Sequence, residues 1–425
     1  MYVNEIKEVL EEEIKLHGWV HDLRDLANVK FVLLRDNTGI VQCAIKIDNK
    51  AFHNFSQLSH ESVIEINGII KDARIRSPDV SIKEFEIEVS SLKLLNKADP
   101  LPIPVIGKDL KTRLNKRLDS RSLDIRKKEV KAIFEIQNVL MHAFREYFYK
   151  KKFIEIQPPG IIGTSTEGGT DLFEAKYFDR PAYLAQSPQL YKQLAAISWE
   201  KVVSTSPVWR AEKHNTVRHL NEARQMDIEV AFADQFKVMK YQEDVMKFMI
   251  KKVISECQEQ IELLGVKVTV PKAKYLSYKE TVQLLNSKGI MMEYGGDLEP
   301  ESEKKLCEIY KDTMIFVHSW PNSLKPFYIW PLDKDTSGGF DMIYGGMELS
   351  SGGQRVHIPT ILIGNLRDKK LSPDSFKWYV DAFRYGAPAH AGWSIGLERL
   401  TMVVCGLENI REACLFPRDR DRLTP

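Results

Sequence analysis

Of the 425 residues, 43% are hydrophobic and 28% charged, and the formal net charge is +2; this describes an ordinary globular chain with room for two domains, one of them large. The balance neither supports nor excludes an RNA partner, because a basic surface can be confined to one groove. No apolar stretch approaches the ~20 residues needed for a membrane span, and the scattered Cys43, Cys257, Cys307, Cys405 and Cys414 form no C-x-x-C pair for zinc or a disulfide framework.

The N-terminus is too charged for a signal peptide, so the expected location is cytoplasmic. Residues 14–20, 29–35, 40–45, 62–71 and 85–94 are rich in β-branched and aromatic residues and are separated by turn signals such as Asp36-Asn37-Thr38-Gly39. They read as five short strands. With a helix-like piece at 51–58, they predict a small barrel of the OB type over 1–98, with a generic β-sandwich as the alternative. The three prolines of Asp99-Pro-Leu-Pro-Ile-Pro104 cannot donate ladder hydrogen bonds and disfavour helix before them. A stiff linker is therefore expected over 99–125; the basic run 108–126 reads as a solvated face or as a hinge against an RNA backbone.

From 127 to 152, Ile133, Ile136, Leu140, Phe144 and Tyr147 recur at helical spacing. An apolar strand, 153–157, then runs into Pro158-Pro159. Further strands are expected at 182–186, 201–209, 224–231, 326–331, 339–343 and 392–397, and helices at 189–199, 236–264, 278–288, 302–311 and 374–385. Antiparallel strands flanked by helices give an α+β domain over 126–425. The stretch 265–315 discloses no role.

Two arginines stand out. Arg210 ends the apolar run Ser206-Pro-Val-Trp-Arg210 and is followed by Ala211, Glu212 and then Arg218-His219-Leu220. A guanidinium on such a platform suits a phosphate. Arg399 follows Gly392-Trp-Ser-Ile-Gly396-Leu397-Glu398 and opens an apolar helix, 400–406. These segments resemble motif 2 (201–230) and motif 3 (392–407) of class II aminoacyl-tRNA synthetases. The helix, strand and prolines of 127–161 resemble motif 1, which implies a homodimer.

The resemblance implies joining of an amino-acid carboxylate to the α-phosphate of ATP, with Arg210, Arg399 and Glu348 as catalytic residues. Arg210 would grip the α-phosphate and the substrate carboxylate, and Arg399 the γ-phosphate. Ala211, Glu212, Arg218, His219, Leu220, Glu348, Gly396, Leu397 and Glu398 would complete the ATP site. Asp341 and Glu348 flank a Gly345-Gly346 turn, and Ser351 follows. The family places its metal-binding carboxylates in this frame, so these three hard oxygen donors are the Mg²⁺ candidates.

Gln186-Ser-Pro-Gln189-Leu190-Tyr191-Lys192-Gln193 matches the pattern of aspartyl-tRNA synthetases of this class. Lys192, in the first turn of a helix, and Arg355 are implied to flank the β-carboxylate of L-aspartate. A cationic pair suits an anionic side chain and disfavours neutral asparagine. By the same resemblance, Glu167, in Thr166-Glu167-Gly168-Gly169, would bind the substrate ammonium, Gln189 would be a further ligand on the ammonium or the carboxylate side, and Leu190, Tyr191 and Ser351 would complete the aspartate-binding set. Phe31 and Gln42 have the spacing of the base-stacking aromatic and the uridine-reading glutamine of the aspartyl, asparaginyl and lysyl subgroup.

The C-terminal Leu415-Phe-Pro-Arg-Asp-Arg-Asp-Arg-Leu-Thr-Pro425 resembles the ending of compact archaeal-type aspartyl enzymes. Archaeal aspartyl enzymes restricted to tRNA(Asp) tend to carry Trp and Lys where this chain has His21 and Pro78, which implies use of tRNA(Asn) as well. An asparaginyl-tRNA synthetase, a tRNA-independent asparagine synthetase on the same core and a non-catalytic RNA-binding paralogue are the competing readings.

Overall fold

The computed structural model describes residues 1–8, 13–106, 112–163 and 172–425, which divide into two compact units, Met1–Lys116 and Arg117–Pro425. In the first unit, β1 (Glu13–Asp25), β2 (Val29–Arg35), β3 (Ile40–Lys46), β4 (Val63–Asp72) and β5 (Phe85–Asn96) close into a barrel in the order β1-β2-β3-β5-β4. This is the OB arrangement rather than a sandwich. Alternation along β2 and β3 sends Val32, Leu34, Val41, Cys43 and Ile45 into the barrel core. Phe31 and Leu33, paired with Ala44 and Gln42, are left on the outer face. A register shift between Val20 and Asp22 makes His21 the extra residue of a β-bulge.

The second unit is built on β6 (Ile154–Glu155), β10 (Lys201–Trp209), β11 (Glu222–Ala231), β12 (Lys272–Ser277), β13 (Thr313–His318), β14 (Gly339–Tyr344), β15 (Met347–Gln354) and β16 (His390–Gly396). They form one sheet in the order β12-β13-β14-β15-β16-β11-β10-β6. The short strands β7 (Ile161–Ile162), β8 (Glu174–Tyr177) and β9 (Arg180–Leu184) make a separate sheet. The large sheet is antiparallel in its middle and parallel at both edges, where β12 pairs with β13 and β6 with β10. It is thus mixed rather than wholly antiparallel.

One face of this sheet carries Met226, Ile228, Val230, Phe340, Met342, Ala391, Trp393 and Ile395 into a core shared with the helices Lys128–Lys150 and Gln235–Glu256. The helix expected over 236–264 is broken at Cys257, and Gln258–Leu264 continues as a separate piece. Segment 326–331 makes isolated bridges rather than a strand, at Ile329 with Arg355 and Pro331 with Ser337. Pro326 and Pro331 have no N–H to donate to a ladder. The helix expected at 374–385 is a 3₁₀ turn, Pro373–Phe376, followed by Lys377–Phe383, and the helix Pro359–Asp368 had no sequence expectation.

The stretch 265–315 supplies β12, the first half of β13 and the helices Tyr278–Ser287 and Pro300–Ile309. Ser277 and Glu280 form a reciprocal capping box at the first of these helices. Leu276, Val282, Leu285, Leu306, Ile315, Val317 and Ile343 then close a second core over one end of the sheet's other face. That leaves the remainder of the face to build a site. Among the described residues no helix is long and apolar enough to cross a membrane.

Candidate active site

Period-two alternation puts Gln225, Asp227 and Glu229 of β11 on the face opposite the apolar core, yet Asp227 and Glu229 are fully buried. Buried carboxylates require counter-charges. Lys192 places Nζ 2.9 Å from Asp227 Oδ1 and 3.6 Å from Glu229 Oε2, and also donates to the Trp393 carbonyl at 3.2 Å. Arg355 donates to both oxygens of Glu229, at 2.9 and 3.2 Å. Burial raises the Asp227 carboxyl above its ordinary range, and Lys192 opposes that rise. Gly392 is what makes room: a Cβ there would come within 2.2 Å of Glu229 Oε2 and of the Ile228 carbonyl oxygen.

This quartet lies beside a cavity of about 330 Å³. Its lining includes Ser187, Gln189 and Arg355 together with Arg210, Arg218, Glu348 and Arg399. Arg210 is exposed, and its guanidinium makes no hydrogen bond or ion pair among the described residues. Its backbone is fixed instead: Arg210 N donates to the Asn221 carbonyl at 2.9 Å, and Asn221 Nδ2 returns a bond to Arg210 O at 2.7 Å. Glu212 and His219 approach within 3.9 Å. Burial lowers the His219 pKa, against the pull of Glu212 and with help from Arg399.

The three metal candidates reach one face through a bulge. Asp341 pairs with Ser351 and Ile343 with Glu348, so Leu349 is extra on β15. Glu348 and Ser351, three apart, consequently share a face with Asp341. The Gly345-Gly346 turn, with φ of +64° and +86°, closes this hairpin in the left-handed conformation that favours glycine. Asp341 accepts from Ser351 Oγ and Lys325 Nζ, each at 2.5 Å. The Glu348 carboxyl is pushed up to about 7 by desolvation and by Asp341, against Arg399 and Lys325. Among the described residues no group of three or more His, Cys, Asp or Glu is placed to hold a metal ion. Two carboxylates and a hydroxyl do fit Mg²⁺, which takes its remaining ligands from phosphates and water.

Glu303, on the helix Pro300–Ile309, joins this part of the site from the silent stretch. Its Oε1 accepts from the Glu348 backbone N–H at 3.2 Å, and its Oε2 pairs with Arg218 at 3.3 Å. Burial raises its pKa. Arg399 Nη1 donates to the Glu348 carbonyl at 2.9 Å, so Glu348 is held from both sides of its peptide.

In the barrel unit, Phe31 and Gln42 lie diagonally on the same outer face. The amide NH₂ of Gln42 donates to Glu86 at 2.7 Å. His21 is buried rather than on a loop, with Nδ1 3.2 Å from Arg35 Nη1, while Arg35 pairs with the buried Glu61 at 2.7 Å. Pro78 is exposed on the β4–β5 connection.

A family model described as tRNA synthetases class II (D, K and N) matches residues 113–420, and one described as OB-fold nucleic acid binding domain matches 14–95. The chain belongs to the class II aminoacyl-tRNA synthetases. This synthetase is 44% identical to an aspartate–tRNA(Asp/Asn) ligase of Methanopyrus kandleri, over 97% of the chain and 96% of that protein. It is 41% identical to an aspartate–tRNA(Asp) ligase of Thermoplasma volcanium, over 100% and 99%. Its structure is similar to that of Pyrococcus horikoshii asparaginyl-tRNA synthetase complexed with asparaginyl-adenylate, with a TM-score of 0.94 at 32% identity over 100% and 99% of the two chains. An Entamoeba histolytica aspartyl-tRNA synthetase follows with a TM-score of 0.88 at 30% identity over 100% and 93%.

Not every residue expected in the synthetase's site faces the cavity. Leu190 and Leu397 are packed in apolar cores, and Tyr191 stacks on Trp378 with ring centroids 5.4 Å apart. Ala211 and Lys192 are not on the cavity wall, whereas Leu220 and Gly396 are. A Cβ at Gly396 would meet only Arg399, at 3.8 Å, so this glycine keeps the cavity open rather than relieving a clash. Glu398 lines the cavity but commits both oxygens to the Arg224 N–H, at 3.0 and 3.2 Å. Arg399 lies inside the helix Leu397–Val404 rather than ahead of it. Glu167 falls outside the described residues. Sequence reasoning missed Asp227, Glu229, Lys325 and Glu303. The alternation of β11 signalled the first two, and nothing local signalled the others.

Proposed function

We propose that this synthetase activates L-aspartate with ATP and transfers the aspartyl group to tRNA(Asp) and to tRNA(Asn). The carrying observation is the buried quartet, which presents the Arg355 guanidinium at the amino-acid end of the cavity with Lys192 directly behind. A cation there matches the β-carboxylate and has no partner in asparagine's amide. The higher identity to aspartate ligases than to the solved asparaginyl enzyme points the same way.

In the first step, an oxygen of the aspartate α-carboxylate forms a bond to the α-phosphorus of ATP. The bond from that phosphorus to its bridging oxygen breaks, and pyrophosphate leaves with the electron pair. Arg210 is assigned to both anions because its guanidinium is uncommitted while its backbone is pinned, so little reorganisation is needed. Arg218 and Arg399, set by Glu303 and the Glu348 carbonyl, neutralise charge on the outer phosphates. Mg²⁺ held by Glu348, Asp341 and Ser351 would supply Lewis-acid neutralisation of the phosphates. In the second step, the 3′-hydroxyl of the terminal adenosine attacks the aspartyl carbonyl carbon and AMP departs.

The barrel is assigned to the anticodon, with Phe31 as a stacking platform and Gln42 as a base reader. A homodimer through the motif 1 helix and a cytoplasmic location complete the proposal. Dual tRNA use rests on His21 and Pro78: a bulged histidine turned inward to Arg35 and a proline without a donor add no contact favouring C over U at the third anticodon base. Pyrophosphate exchange should occur with aspartate and not with asparagine, without tRNA, and both transcripts should be aspartylated within about tenfold of each other. A hundredfold preference for tRNA(Asp), abolished by changing its third anticodon base to U, would refute dual use.

A further inference from the structure

A buried hydrogen-bonded chain runs behind the amino-acid end of the cavity and stops at Gln189. It begins at His390, the first residue of β16, which is fully buried. His390 Nδ1 lies 2.9 Å from the Pro388 carbonyl oxygen, and its Nε2 lies 2.8 Å from Gln193 Nε2. A carbonyl oxygen only accepts, so Nδ1 carries a proton.

The ring is also held neutral. Burial pushes its pKa down to about 4; Glu229 and the Pro388 contact oppose this, and Arg355 and His357 add to it. In a neutral ring protonated at Nδ1, Nε2 is an acceptor. The Gln193 amide must therefore turn its NH₂ toward His390, an assignment set by the hydrogen-bond network. Its oxygen then receives the Tyr379 hydroxyl at 2.9 Å and Gln189 Nε2 at 2.8 Å. The polarity of each partner fixes the next, and Gln189, on the cavity wall, has its NH₂ committed inward. Its oxygen is the amide atom left toward the cavity.

We propose that His390, through its Nδ1–H tautomer, orients Gln193 and thereby Gln189, so that the cavity offers the amino-acid ammonium a carbonyl oxygen rather than an amide NH₂. His390 and Gln193 are thus positioning residues for amino-acid binding, an inference that rests on Gln189 being an ammonium ligand. With the relay broken, Gln189 is free to flip, and a flipped amide points N–H groups at a cation and loses a charge-assisted hydrogen bond.

In full-length protein labelled with [¹⁵N]histidine, the His390 signals, assigned by their loss in His390→Gln, should show an Nδ1–H tautomer that stays neutral from pH 8 to pH 5. An Nε2–H tautomer, or an imidazolium in that range, overturns the proposal. In pyrophosphate exchange, Gln193→Met and His390→Leu should raise KM for aspartate at least tenfold and leave KM for ATP within twofold. His390→Gln, whose amide oxygen can occupy the place of Nε2, should return to within threefold of wild type, as should Tyr379→Phe, which removes a donor that does not set the polarity. Equal rises in both KM values, or no difference between His390→Gln and His390→Leu, sink it. If wild type exchanges with an amino acid other than aspartate, the substrate reading fails instead, and the same ratios taken with that amino acid still judge the relay.

Discussion

Replacing Lys192 with Met tests whether the buried quartet reads substrate charge. The side chain is 2% exposed, and its Nζ lies 2.9 Å from Asp227, 3.2 Å from the Trp393 carbonyl and 3.6 Å from Glu229. Two cations balance two carboxylates. Met keeps the apolar stem but leaves Asp227 and Glu229 with Arg355 as their only immediate counter-charge among the described residues. Removing one partner of a buried pair costs about 3–5 kcal/mol, partly relieved if Asp227 takes up a proton, as its raised pKa favours. The quartet also becomes net negative toward an incoming β-carboxylate. A lost charged interaction of about 1.5–3 kcal/mol corresponds to a rise of about 10- to 150-fold in KM for aspartate. Urea unfolding of Lys192→Met, Asp227→Asn and the double variant, with pyrophosphate exchange on each, gives both readouts. The double variant should regain at least about half of the lost stability, because no orphan carboxylate remains. If Lys192→Met unfolds within about 0.5 kcal/mol of wild type, the burial argument fails; an equal rise in KM for ATP and aspartate removes the substrate-charge role.

Arg210→Ala and Arg399→Ala should each lose about 3–4 kcal/mol of transition-state stabilisation with unchanged far-UV circular dichroism; near-normal exchange in either would remove that arginine from the phosphate site. Glu303→Ala frees Arg218 and the Glu348 N–H, so kcat/KM for ATP should fall about tenfold while KM for aspartate holds; steady-state kinetics showing no change would make the contact incidental. Burial pushes Glu398 from 4.5 up to about 7, so its contribution to stability is full below about pH 4.5 and is lost as pH rises through about 7. Glu398→Gln should accordingly gain stability relative to wild type between pH 5 and pH 8, by up to about 3 kcal/mol, and a flat difference in urea midpoints would contradict this. Sedimentation at micromolar concentration should show twice the mass of one 49.0 kDa chain; a single-chain species would exclude the homodimer.

The sequence by itself determined the architecture where local physics was decisive. Period-two alternation in the barrel strands and in β11 fixed which side chains enter the cores. Helical spacing located the long helix, now Lys128–Lys150. The order of the arginine-bearing segments pointed to the family, because the chemistry of a phosphate site tolerates few substitutes. The tertiary structure alone decided which candidates meet. Leu190 and Leu397 sit within segments that match the family's patterns yet face apolar cores, since a helix turns neighbouring residues to different sides. Lys192 stands in the first turn of a helix, where a lysine is ordinarily solvent-exposed, yet it is buried and paired with Asp227, 35 positions away. Glu303 meets Arg218 across 85 positions and Glu348 across 45. The bulge at Leu349 is what turns Glu348 onto the face of Asp341. Burial, pairing and the resulting charge of a group depend on residues far off in the chain, and no local periodicity encodes them.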